Sequence, residues 1–296
     1  MTPVRRLLGL GSIVVDLVLH VDRLPEPGGD VLARSSATAV GGGLNALAAA
    51  AAAGLPAAYA GGHGTGPFGD LVRAALAAHR MPALLPAVGD EDTGFCVVLV
   101  DGSGERTFAT TVGAEGRLTA DLLATVRPEI GDAVYVSGYD LVYPHGPALA
   151  GWVAALPART VVLLDPGPLV GEVEPALLDA VLARATWLSL NDREARLATG
   201  AADSVAAAGV LLDRAPGLAG VVVRLGARGA LLGLPESAPV TVPGVPVDRV
   251  VDTNGAGDVH LGTFVAGLAG GLAPVDAVAA ANAAAADLVS RRRGQR

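Results

Sequence analysis

Short runs of branched aliphatic residues alternate along the chain with longer Ala- and Leu-rich stretches, and this rhythm predicts its elements. Residues 7–15 read as a first strand and 57–60 as a second, with further strands at 134–137, 161–164, 187–190 and 221–224. Helical stretches lie between them at 45–53 (ended by Gly54), 147–155, 175–185 and 204–213. Two more helices, at 259–268 and 274–289, close the chain ahead of a basic tail, Arg291-Arg292-Arg293. The strand candidates are apolar at nearly every position rather than at alternate ones. That pattern belongs to strands buried on both faces. With helices between them, it predicts a three-layer α/β/α domain around a mostly parallel sheet.

Two stretches break the rhythm. Residues 17–39 and 94–111 alternate like strands of an exposed sheet, no helix separates them from neighbouring strands, and Asp101-Gly102-Ser103-Gly104 is a hairpin-turn signal. They predict a small β-sheet made from two insertions. Residues 1–16, 40–93 and 112–296 are left to form the large domain.

Composition narrows the chemistry. Aromatics make up only 3% against 51% hydrophobic residues, so the core must be built from Ala, Val and Leu. The net charge of −8 gives no basic footprint for nucleic acid, although local amides and arginines can still form a nucleotide pocket. All 21 basic residues are Arg. The absence of lysine removes both the P-loop G-K-[ST] motif and the protein-kinase strand lysine. Any phosphate chemistry must then rest on backbone N–H groups, Arg and a metal. Cys96, the single cysteine, excludes a disulfide frame and reads as a buried spacer, and the five histidines lack zinc-ligand spacing. The longest Ala-rich run, residues 46–54, is too short for a membrane span, and the N-terminus lacks a signal-peptide pattern. A soluble cytoplasmic protein with no membrane partner is expected.

The most informative stretch is Asp252-Thr253-Asn254-Gly255-Ala256-Gly257-Asp258, directly ahead of an apolar helix. Gly255, Ala256 and Gly257 leave the backbone bare, so several N–H groups can converge on one anion at the positive end of a helix dipole. Asp258 beside that nest suits a base that takes a proton from an attacking hydroxyl. Phosphoryl transfer needs this pair. Near the N-terminus, Gly9 and Gly11 begin a dinucleotide-binding fingerprint, but Val14 stands where its third glycine belongs. Gly41-Gly42-Gly43-Leu44-Asn45 opens a helix, with Asn45 either a cap or a ligand amide. Asn191-Asp192-Arg193-Glu194 follows a strand and starts a helix that stops near Gly200; a capping box and a functional role are compatible there.

These motifs, in this order, resemble those of the PfkB (ribokinase-like) carbohydrate kinases, whose C-terminal signature reads D-T-x-G-A-G-D. The resemblance covers nearly the full length, and only the last motif is decisive by itself. It implies a ribokinase-like fold whose small β-sheet is a lid. It also implies an ATP-dependent kinase acting on a hydroxymethyl group of a small sugar, with Asp258 as base and Gly255, Ala256 and Gly257 as anion hole. The G-x-x-x-x-D opening (Gly11 to Asp16) implies that Asp16 binds sugar hydroxyls, joined by Gly42, Asn45 and Asp252. The N-x-x-E run implies a phosphate contact from Asn191 and Mg²⁺ organised by Glu194 through water. The run from Arg224 to Ala230 matches the G-x-x-G that lines the nucleotide, giving Arg224, Gly226 and Gly229. Asn282 aligns with a position facing the adenine.

Arg106, on the second lid strand, reads either as a cation closing over the phosphates or as a salt-bridged lid residue. Phe68, Phe108 and Tyr139 are placed to reach a nucleobase, so a nucleoside kinase is the alternative acceptor class. A non-catalytic sugar- or nucleotide-binding regulator is the alternative of a different kind. Residues 61–70 (Gly-Gly-His-Gly-Thr-Gly-Pro-Phe-Gly-Asp) read as a turn in which His63 could touch substrate. Potassium-activated members use a loop beyond the final helix; here little sequence follows it before Arg296, and a monovalent-cation requirement stays open. An exposed lid edge makes a homodimer conceivable.

Overall fold

The computed structural model describes residues 3–291. Twelve strands are described: β1 (Arg6–Gly9), β2 (Val15–His20), β3 (Ser35–Val40), β4 (Ala57–Tyr59), β5 (Phe95–Val100), β6 (Arg106–Thr111), β7 (Asp132–Ser137), β8 (Val161–Asp165), β9 (Trp187–Asn191), β10 (Gly220–Arg224), β11 (Ala230–Gly233) and β12 (Val240–Val242). Ten α-helices accompany them: α1 (Gly43–Ala52), α2 (Pro67–Ala78), α3 (Ala120–Thr125), α4 (Gly138–Val142), α5 (Gly146–Ala154), α6 (Pro175–Leu182), α7 (Asp192–Thr199), α8 (Ser204–Arg214), α9 (Ala256–Ala269) and α10 (Pro274–Ser290).

Eight strands form the main sheet in the order β12-β11-β10-β9-β8-β7-β1-β4. Every pairing is parallel except those of β11 with β10 and β12. Successive strand residues point to opposite faces, and each face is buried under helices. Leu8, Val134, Val162, Leu188 and Val221 pack in one core with residues of α3, α5, α6 and α8. Leu7, Ala133, Leu163, Trp187 and Val222 pack in the other with residues of α1, α2, α9 and α10. Two-sided burial is why these strands read as continuous apolar runs.

The other four strands form a separate sheet in the order β3-β2-β5-β6, in which β2 and β5 pair in parallel. Its register places Val40, Val15, Phe95 and Thr111 in one row, the row at which all four strands join the main domain. His20, Val100 and Arg106 occupy the opposite row.

The structure corrects the reading of residues 7–15 as one strand. β1 ends at Gly9 and β2 begins at Val15 in the other sheet, with the chain turning between them. Both segments are buried, so hydropathy does not register the change of sheet. Helix α2 replaces the second half of the turn expected over residues 61–70. Its cap is remote: the Asp92 carboxylate accepts the Phe68 and Gly69 N–H groups at 2.9 and 2.8 Å. A local capping rule cannot see a partner that distant in sequence. Of the basic tail, Arg291 pairs with Asp287 on α10, while Arg292 and Arg293 lie outside the described residues. No single helix among the described residues is long and apolar enough to cross a membrane.

Candidate active site

A cleft of about 260 Å³ opens where Ser137, Asp165 and Arg224, at the carboxyl ends of β7, β8 and β10, meet the N-termini of α1 and α9 and the small sheet. Open α/β sheets bind ligands at this end of their strands. Of the residues singled out from sequence, Asp16, Gly42, Asn45, Glu194, Arg224, Gly255, Gly257 and Asp258 line it.

Helix α9 begins at Ala256, three residues earlier than expected, so Asp258 lies in its first turn. Gly255 caps it with φ of 77°, a left-handed conformation that glycine adopts without steric cost. No side chain caps this helix, which leaves its mouth suited to an anion. The Ala256 N–H donates to the Thr253 carbonyl at 3.2 Å, closing the turn that sets this geometry.

Asp258 accepts a hydrogen bond from Asn45 Nδ2 at 3.2 Å. That contact depends on a near-touching approach of α1 and α9. A Cβ at Gly262 would lie 2.1 Å from the Ala46 carbonyl oxygen of α1. Gly42, not Asn45, stands at the N-cap of α1, with φ of 64°. The amide of Asn45 is thereby left to face the cleft.

Asp16 enters from the first turn of β2 and is largely buried. A Cβ on Gly41 would lie 2.7 Å from its Oδ2, so that glycine makes room for the carboxylate.

Arg224 ends β10 and is buried among carboxylates. Its Nη1 donates to Asp165 Oδ2 at 2.9 Å and to Ser189 Oγ, and its Nη2 reaches Glu194 Oε2 at 3.4 Å. Burial works against its charge, but Asp165 and Glu194 outweigh that and hold the guanidinium's pKa above its ordinary value. The same guanidinium lies 3.3 Å from where a Cβ on Gly257 would stand, beside the mouth of α9. Among the described residues that line the cleft it is the one guanidinium. Glu194 is pushed above the usual carboxylate range by burial first and Asp165 second, with Arg224 opposing. Tyr139 is pushed up to about 12, chiefly by burial and then by Asp258, so its phenol stays a hydrogen-bond donor.

Several expected contacts take other positions. Asp252 pairs with Arg106 Nη2 of β6 at 2.5 Å and accepts the Asn254 N–H at 2.7 Å on the same oxygen; it ties the small sheet to the loop before α9 rather than lining the cleft. The salt-bridged reading of Arg106 is therefore the one observed. Asn282 is held by contacts within the fold. Its amide nitrogen donates to the Val242 and Pro243 carbonyls at 3.1 Å, and its oxygen faces His260 Nε2 at 3.1 Å. Asn191 and Glu194 form a full capping box, and of the two only Glu194 also lines the cleft. Gly226 and Gly229, with φ of 62° and 93°, shape the turn between β10 and β11 outside the cleft. Phe68 stacks on Phe95 with ring centroids 5.3 Å apart, and His63 is buried off the cleft.

Asp165 is the functional candidate that sequence reading passed over. A carboxylate ending an apolar strand, followed by Pro166-Gly167, was the available signal. Tyr143, Ser12 and Ser137 also line the cleft, and nothing local marks them.

The comparisons agree with this geometry. The family model described as "pfkB family carbohydrate kinase" matches residues 4–296. An uncharacterized sugar kinase of Escherichia coli, YegV, is 33% identical over 291 residues, covering 96% of this chain and 88% of that protein. An ATP-dependent ribose-1-phosphate kinase of Halopiger xanaduensis is 34% identical over 268 residues, covering 88% and 84%. The crystal structure of a ribokinase from Cryptococcus neoformans in complex with ADP superposes with a TM-score of 0.82 at 25% identity, covering 99% of this chain and 95% of that one. A family match over this length, on a chain with this sheet, makes it a member of the pfkB family of carbohydrate kinases.

Proposed function

We propose that this kinase transfers the terminal phosphoryl group of ATP to a hydroxymethyl group of a small sugar. One observation carries the reading: Asp16, Asn45, Glu194, Arg224 and Asp258, from distant segments, converge on one cleft at the uncapped start of α9. Asp258 accepts the hydroxyl proton as the new O–P bond forms and the bond to the departing ADP breaks. Asn45 holds that carboxylate in place, and Asp16 orients other hydroxyls of the acceptor. Arg224 and the amides at Gly255–Gly257 stabilise the negative charge on the migrating group, which displaces the long Ala256 bond to Thr253. The turn carrying Gly226 and Gly229 follows Arg224 directly in the chain and suits the rest of the nucleotide. The small sheet then acts as a lid that excludes water as a competing acceptor.

The residues fit Mg²⁺ only in a water-mediated way. No group of three or more His, Cys, Asp or Glu side chains converges among the described residues, so there is no direct cage. Glu194 lines the cleft and would hold the ion through water, as Mg²⁺ commonly retains its waters. Bound there, the ion neutralises phosphate oxygens.

Asp258→Asn tests the reading. Turnover should fall by about 10³-fold while ATP and acceptor affinities stay within a few-fold. Near-normal kcat would remove Asp258 from its role. A nucleoside acceptor is favoured by one feature: Phe108 is 55% exposed yet lines the cleft, an uncovered ring on which a base can stack. ADP release with ribose or fructose against inosine or adenosine separates the two readings.

A further inference from the structure

Resting on the kinase reading above, we propose that the acceptor carries no negative charge: the cleft takes an uncharged polyhydroxylated sugar or nucleoside and rejects phosphorylated sugars and sugar acids. The two sides of the cleft are unequal. On the β8–β10 side Arg224 stands beside the mouth of α9, where a phosphoryl group fits. The other side, formed by the entrance of α1 and the small sheet, presents Asp16, Asn45, Cys96, Phe108 and Thr110. Among the described residues its only charged group is the Asp16 carboxylate.

Among the described residues that line the cleft, Arg224 is the single cation, against the carboxylates of Asp16, Asp165, Glu194 and Asp258. Arg224 is already bonded to two of these. Arg106 shares a strand face with Phe108 and Thr110, two and four residues on, and would be the natural anchor for a charged acceptor. Its guanidinium is instead committed to Asp252 and Thr253. An anionic acceptor would therefore place a second negative group beside Asp16, in addition to the phosphates of the nucleotide, with no further cation among the described lining residues to meet it. Like charges brought together in a partly enclosed site are strongly disfavoured. Asn45 and the hydroxyls of Thr110 and Tyr139 offer the uncharged donors and acceptors that sugar hydroxyls need.

The test is kcat/KM from ADP release with Mg²⁺ and ATP. Ribose, fructose and inosine are compared with ribose-1-phosphate, fructose-6-phosphate and gluconate, above an acceptor-free control. The best neutral acceptor should exceed every charged one by at least about 100-fold. Thr110→Lys, which adds a cation on the small-sheet side, should narrow that gap by about 10-fold. A phosphorylated sugar or a sugar acid used within 100-fold of the best neutral acceptor overturns the inference and leaves the kinase reading standing. No ADP release above control with any acceptor overturns the kinase reading, and this inference with it.

Discussion

The α1–α9 junction and the small sheet face the same cleft and are built by opposite means. The junction is close-packed: Gly262 lies against the Ala46 carbonyl, and Leu44, Leu47, Leu261 and Phe264 fill the core around them. The sheet contributes only a small core of its own, Cys96, Val98 and Val100. It is fastened at its root by Glu115, whose carboxylate accepts the Gly94 and Gly113 N–H groups at 2.7 and 2.9 Å, and at its tip by Arg106 on Asp252. The difference divides the labour of the site. On the proposed mechanism, groups that must be fixed for proton and phosphoryl transfer sit on the close-packed junction, and groups that meet the acceptor sit on the part with few tethers.

The strongest way to break this contrast is to separate the junction. Gly262→Ala places a methyl 2.1 Å from the Ala46 carbonyl oxygen. It should cost about 3 kcal/mol in denaturant unfolding and lower kcat, because Asn45 and Asp258 move apart. A loss below about 0.5 kcal/mol would show that the helices slide freely, and the rigid half of the comparison would be lost.

Glu115→Gln comes next. Gln has one amide oxygen for two N–H donors, so about 2 kcal/mol should disappear from unfolding. Amides near Gly94 and Gly113 should then exchange hydrogen faster than those of α9. Equal protection in both places would argue against a separately tethered sheet.

Arg106→Gln releases the tip. The pair is partly buried, with side chains 20% and 22% exposed, and its loss should raise the acceptor KM by about 10-fold with little change in unfolding free energy. An unchanged KM would mean that the tip contact is incidental to acceptor binding.

The smallest effect concerns pH. Burial and then Asp165 raise the Glu194 pKa, so Glu194 takes up a proton sooner than usual as the pH falls. Asp165→Asn removes the second cause and frees Arg224 to face Glu194 more fully. The Glu194 pKa should drop, and the acid limb of the kcat/KM profile should shift to lower pH by less than about one unit. A limb that stays put or moves upward contradicts this electrostatic account.

What the sequence disclosed followed the range of the interactions involved. The sheet-and-helix rhythm was legible because each strand is buried by its own pattern, and residues 252–258 were legible because turn, cap and carboxylate are neighbours in the chain. The start of α9 was misread by three residues: Gly-Ala-Gly has poor helix propensity, and the left-handed cap at Gly255 overrides it. The carbonyl contacts of Asn282 have no local signal, because only the fold brings residues 242 and 243 to it. The Arg106–Asp252 pair spans 146 residues, and the Asp165–Arg224 bond 59; no local signal foretells either.

The register of the small sheet has a mechanical consequence. All four strands join the main domain along one row, and Arg106 stands on the far row, so the sheet is a lever pivoting on a single line. The five residue steps of strand from Thr111 to Arg106 make an arm of about 17 Å, on which a tilt of only ~10° carries the guanidinium ~3 Å, enough to part it from Asp252. Parallel pairing of β2 with β5 locks the two insertions into one plate, so the motion is a rocking of the whole rather than a peeling of one hairpin.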